Sequence, residues 1–152
     1  MSAKRLVVTM LLCLMLSIPN PASADILAVA EFTSPTDTGE STEPGEVGLI
    51  NTTGGFTKKG RAGCIVATLS VEVKGATAGI GVQFTVNLDG TPMNPGPVQH
   101  TNLQTTVQLV SYTFWECDVV GFHVIGTTFM NTSGGGAANK VTAEQRTLVV
   151  QD

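Results

Sequence analysis

The side chains equipped for chemistry are few. The 152 residues hold two histidines, His100 and His123, with three cysteines and one tryptophan. A nucleophilic hydrolase needs a serine or cysteine activated by histidine and oriented by an acid. No G-x-S-x-G turn occurs, and the best serines, Ser70 and Ser111, fall inside strand-like runs where a hydroxyl faces solvent or bonds a neighbour. Glu116 and Asp118 form the pair a glycosidase would use, since residues i and i+2 share one face of an extended strand, about 7 Å apart. An acidic pair at a strand end beside a cysteine reads more simply as surface charge. Zinc needs three or four ligands, and His100, His123 and Asp118 have no ligand-motif spacing. His100 lies among prolines and amides and reads as a loop residue, and His123 as a partly buried histidine bonded to backbone. Trp115 and Tyr112 are the aromatics with polar handles for stacking on a sugar. Three positions apart on a strand, they take opposite faces, one to the core and one to the rim. The binding candidates are therefore Trp115, Glu116 and Asp118, with no catalytic residue, metal ligand or cofactor assigned.

The elements that carry these residues read as all-β. Residues after 24 include 20 Thr and 16 Val, with Gly, Pro, Asn and Asp gathered between short alternating runs. No window carries helical i, i+3, i+4, i+7 spacing over three turns. Strand-like runs fall at Ile26–Phe32, Glu46–Ile50, Ala62–Val73, Gly81–Leu88, Thr105–Cys117, Phe122–Met130 and Val141–Val150. Seven to eight strands is the count of an antiparallel sandwich. Val82, Phe84, Val86 and Leu88 face one way, and Gln83, Thr85, Asn87 and Asp89 the other, predicting one wet face. Asp89-Gly90 predicts a hairpin turn, Thr91–Pro97 is too rich in proline for a central strand, and Gly134–Gly136 reads as a loose turn with no helix after it.

Residues 1–24 have the parts of a secretory leader: Lys4 and Arg5, an apolar run from Leu6 to Ile18, then Ala22-Ser23-Ala24. The run is shorter than the roughly 20 residues a membrane span needs, so cleavage after Ala24 is expected, with no membrane insertion afterwards. Residues 25–152 then form one domain of net charge about −6. An acidic domain offers nucleic acid no footprint. Cys64 and Cys117 remain, and in an oxidising compartment they are expected to form one disulfide. The stretch 34–45 is rich in Pro, Thr, Ser, Gly and Glu and reads as an acidic mobile loop, without the spacing of a calcium loop. Asn51-Thr52-Thr53 and Asn131-Thr132-Ser133 match the N-glycosylation sequon.

Phe84-Thr-Val-Asn-Leu-Asp-Gly90, Pro92–Pro97, Tyr112–Trp115, Gly121-Phe-His123 and Arg146-Thr-Leu-Val-Val150 follow one another in an order that resembles a recurrent exported bacterial β-sandwich of jelly-roll type. Such domains end a strand in a V-D-G hairpin, enter another through P-G-x-H and close on R-T-L-x-V. Here Val120 stands where that pattern has proline, and Phe129 where tryptophan is frequent. The resemblance implies an exported jelly-roll-like module with no established activity. Phe84, Val86 and Leu88 are then expected to pack across the sandwich against Ile125, Phe129, Leu148 and Val150, with Arg146 at the mouth of the last strand.

The expected function is a non-enzymatic, secreted binding or surface-structural module whose extracellular ligand is a carbohydrate or a protein. A carbohydrate-binding or carbohydrate-active domain built on Trp115, Glu116 and Asp118 is the first alternative. A self-assembling homo-oligomeric subunit is the second.

Overall fold

The computed structural model describes residues 25–32, 39–41, 46–48, 54–134 and 136–152. The expected leader, most of the stretch 34–45 and the Asn51 sequon lie outside them.

Among the described residues nine strands form, the long ones from alternating Val, Thr and aromatic residues: β1 (Ile26–Phe32), β2 (Gly39–Ser41), β3 (Glu46–Gly48), β4 (Gly54–Gly75), β5 (Ile80–Leu88), β6 (Thr91–Pro92), β7 (Val98–Leu103), β8 (Gln108–Asn131) and β9 (Val141–Gln151). The described residues include no α-helix. A single 3₁₀ turn, Ala137–Asn139, follows the glycine run where no helical segment was expected. The hydrogen-bonded path runs β1-β9-β4-β8-β5-β6, with β2 on β9, β3 on β8 and β7 on β5. Every pairing is antiparallel.

β4 and β8 are 22 and 24 residues long, far beyond the runs visible in the sequence. β8 joins Thr105–Cys117 and Phe122–Met130, expected as two strands, into one that starts at Gln108. The residues between them turn a corner without leaving the ladder. Asp118 has φ 61 and Gly121 φ 96 on β8, and Gly60 has φ 86 on β4. Register slips accordingly: Lys58 lies opposite Gly121, Gly63 opposite Val119 and Ile65 opposite Glu116. An extra residue in a period-two element reverses the face of everything after it. The buried side chains of β8 therefore change from Phe114 before the corner to Val119, Ile125 and Phe129 after it.

This corner makes two layers from one ladder. The second half of β4 pairs with the first half of β8 and with β9, and β1 lies beyond β9. The second half of β8 pairs with β5, and β7 lies beyond β5. The Phe84 and Tyr112 rings come from different layers, yet their centroids are 5.8 Å apart, so the inner faces meet as an antiparallel, jelly-roll-like sandwich. Ile65, Leu69, Phe114 and Leu148 from one layer share a core with Val82, Phe84, Ile125 and Phe129 from the other. Phe84 and Leu88 are direct cross-strand neighbours of Phe129 and Ile125 within one layer, rather than partners across the sandwich.

Two further expectations change. The outer face of β5 is not wet, since Thr85 is buried and Gln83 and Asn87 are half-buried. Arg146 is buried rather than placed at a mouth, and its Nη1 donates to the Glu144 carbonyl at 2.7 Å. Asp89-Gly90 turns as expected, with both φ positive (49° and 82°), between the paired residues Leu88 and Thr91.

Candidate functional site

Trp115 lies on the outer face of β8 just before the corner, opposite Val66 of β4. It is 47% exposed. Its backbone exchanges two hydrogen bonds with Asn94, 2.9 and 3.0 Å long, so the segment after β6 clamps the edge of β8 at this point. Met93, fully buried, anchors that clamp. Glu116 points toward the other side of the strand and is half-buried. Its Oε2 accepts from Asn94 Nδ2 at 3.4 Å, and its Oε1 from the Cys117 N–H at 3.2 Å. Asp118 is exposed, in the left-handed conformation of the bulge.

The extended geometry that would put Glu116 and Asp118 on one face is therefore interrupted. Trp115 and Glu116 share a neighbour, Asn94, but not a face. Asn94 is the residue that sequence reasoning missed. Its only signal was its place among prolines, and its role comes from a contact 21 positions along the chain.

Cys64 and Cys117 are disulfide-bonded across the corner. Beyond them the outer side of β8 continues apolar, with Val120, Phe122 and Val124 exposed. Phe122 is the most exposed, at 69%. Its ring lies against the bare backbone of Gly55, where a Cβ would come within 2.9 Å of the ring. Glycine at that position lets the aromatic ring cover backbone instead of standing free.

Among the described residues, neither histidine is bonded to a serine. Ser70 and Ser111 bond each other at 3.0 Å across β4 and β8. His100 is on β7 rather than on a loop, half-buried, with Nδ1 2.8 Å from the Tyr112 hydroxyl. Burial raises the Tyr112 pKa above its ordinary value. No group of three or more His, Cys, Asp or Glu is placed to hold a metal ion among the described residues.

His123 sits where the β5–β6 turn meets the corner. Its Nδ1 is 2.7 Å from Asp89 Oδ2 and its Nε2 3.0 Å from the Val120 carbonyl. Both neighbours are acceptors, so only the imidazolium, with two N–H donors, satisfies both contacts. The hydrogen bond to Asp89 raises the His123 pKa above 6.5, partly opposed by burial. The Val124 N–H, followed by the His123 bond, holds Asp89 below 3.8. The imidazolium's contribution is whole below pH 6.5 and is lost as pH rises through the raised folded value. The carboxylate's contribution is present above 3.8 and is lost as pH falls through the lowered folded value. Thermal melts across pH should show a loss on the alkaline side of 6.5 that flattens in Asp89→Asn. An unchanged slope in that variant would remove the pair as its cause.

The Asn131 sequon is described, and its amide is engaged. Asn131 is 1% exposed, and its Nδ2 donates to the carbonyls of Gly134 and Asn139 at 2.7 and 2.6 Å. Its Oδ1 accepts the Ser133 N–H at 2.8 Å. The side chain closes the glycine turn, and the folded protein presents no amide nitrogen there for a glycan.

No protein-family model matches the chain, and no curated protein matches its sequence. Solved structures do share its architecture. The VP2 subviral particle of infectious bursal disease virus matches with TM-score 0.55 and 15% identity, over 88% of this chain and 36% of that one. The Gx strain of the same virus matches with TM-score 0.54 and 17% identity, over 90% and 35%. The EclA C-terminal domain, a sugar-binding protein, matches with TM-score 0.42 and 12% identity, over 87% and 84%. The chain spans about a third of the virus chains' length, and at these identities what is shared is the jelly-roll-like sandwich fold.

Proposed function

We propose that residues 25–152 form an exported, non-enzymatic module that works by binding or assembly through the outer surface of the corner. The observation that supports this most is the exposed apolar strip of Trp115, Val120, Phe122 and Val124, with Val66 beside it. Large apolar side chains exposed together mark interaction surfaces more often than isolated ones do. The disulfide and the leader-like residues 1–24 support export.

A carbohydrate ligand is the second reading, favoured by the exposed indole of Trp115 with the exposed amide-bearing residue Asn94 clamped next to it. Self-assembly is the third. The resemblance to virus chains shows the fold alone, and the exposed strip is what supports it. Light scattering on residues 25–152 separates assembly from monomeric binding, and Trp115 fluorescence against an oligosaccharide panel tests the sugar. Whichever interaction appears, Trp115→Ala or Phe122→Ser should weaken its affinity about 10- to 30-fold, read by calorimetry for a sugar because Trp115→Ala removes the single indole, as loss of a central aromatic anchor does. A strict monomer whose fluorescence ignores the whole panel would remove both the sugar and the assembly readings. An interaction indifferent to both substitutions would move the working surface elsewhere.

A further inference from the structure

We infer that hydrolysis of the Ala24–Asp25 bond does more than release a leader: it creates an α-ammonium on Asp25 that locks the edge of the sandwich by pairing with Asp152. Two independent boundaries coincide at this residue. The leader-like sequence ends at Ala22-Ser23-Ala24, and the β1–β9 ladder begins immediately after it. The Asp152 N–H donates to the Asp25 carbonyl at 3.1 Å, and Ile26 pairs with Gln151. The Asp25 nitrogen itself lies 3.3 Å from Asp152 Oδ1. The other oxygen of that carboxylate, Oδ2, is 2.6 Å from Nζ of Lys58, whose side chain is 9% exposed. Asp152 is thus a bridge with one arm on a lysine and one on the Asp25 nitrogen.

In the uncleaved chain that nitrogen is a neutral amide with one N–H. Hydrolysis places the water oxygen on the Ala24 carboxylate and leaves Asp25 with a three-donor cation. The same carboxylate then holds two cations from two strands, β4 and the start of β1. The other charged groups at this cleft are the carboxylate of Asp25 and the ammonium of Lys59, and the remaining lining is Ile26, Leu27 and Thr57. The Lys58 bond is the main reason the Asp152 pKa is lowered, so this carboxylate is an anion throughout the range in which the amine titrates. An α-amine paired with it keeps its proton above the ordinary range of about 7.7–8.0. Its stabilising effect is present below that range and is lost as pH rises through the raised folded value.

The inference rests on cleavage after Ala24, so the first step is the intact mass of the exported protein. A product that begins at any residue other than Asp25 overturns the inference whatever surface the module uses. With Asp25 first, the α-amine is titrated by NMR in the wild type and in Asp152→Asn, which keeps an acceptor and a similar shape. The expected result is a raised amine pKa that returns to the ordinary range in the variant. Selective α-acetylation of the wild type should lower its melting temperature near pH 6 by about 1–3 °C, a difference that fades on the alkaline side. An amine that titrates identically in both proteins, or acetylation without effect on the melt, would overturn the lock.

Discussion

Removing the Cys64–Cys117 bond is expected to cost about 2–5 kcal/mol, seen as a lower urea midpoint with a steeper slope, because the unfolded chain without its cross-link exposes more surface. The bond closes 53 positions of sequence, for which the chain-entropy model gives about 4 kcal/mol from the unfolded state. Its position adds a structural reason. The bridge ties β4 to β8 where register slips twice, between Lys58 and Gly63 and again between Gly63 and Ile65. Few residues pair across that stretch, and the disulfide joins the two strands where the ladder is interrupted. Cys64 is exposed, so reductant reaches the bond in the folded protein. The reduced wild type and a Cys64→Ala/Cys117→Ala variant should share one lowered urea midpoint, below that of the oxidised wild type. A midpoint unmoved by both treatments would show that the corner holds without its bridge.

Asn131→Ala is expected to destabilise the protein by about 2–4 kcal/mol, because it removes a buried side chain that bonds three backbone groups at once. The carbonyls of Gly134 and Asn139 and the N–H of Ser133 all lose the side chain they bond. Asn131→Asp should be at least as damaging despite its matching shape, since a carboxylate would turn oxygen toward those two carbonyls. Denaturant melts of both variants test this. A near-neutral Asp variant would mean the turn rearranges without the amide. The same geometry predicts that protein made in a glycosylating host carries no sugar at Asn131 once folded, a point for peptide mass mapping.

The pairing of strands with sequence runs was legible wherever the pattern is local. Val82, Phe84, Val86 and Leu88 alternate and are buried, and Asp89-Gly90 turns as those residue types require. The disulfide was legible because two cysteines remain after the expected leader and they have one pairing. The candidate site was only partly so. Trp115 and Tyr112 do divide between rim and core, as a spacing of three on a strand demands.

Local pattern determined, then, the strand composition, the buried face of residues 82–88 and the hairpin turn, since those depend on neighbours two to four positions away. Tertiary structure alone decided that two runs are one strand bent at Asp118 and Gly121, and that Asn94 clamps Trp115. It also decided that Asn131 is a turn-closing amide and that Asp152 reaches both Lys58 and the Asp25 nitrogen. Each of these joins residues far apart in sequence, or depends on a single left-handed residue that shifts the phase of all that follow. Period-two alternation says which side is buried but not which strand will cover it.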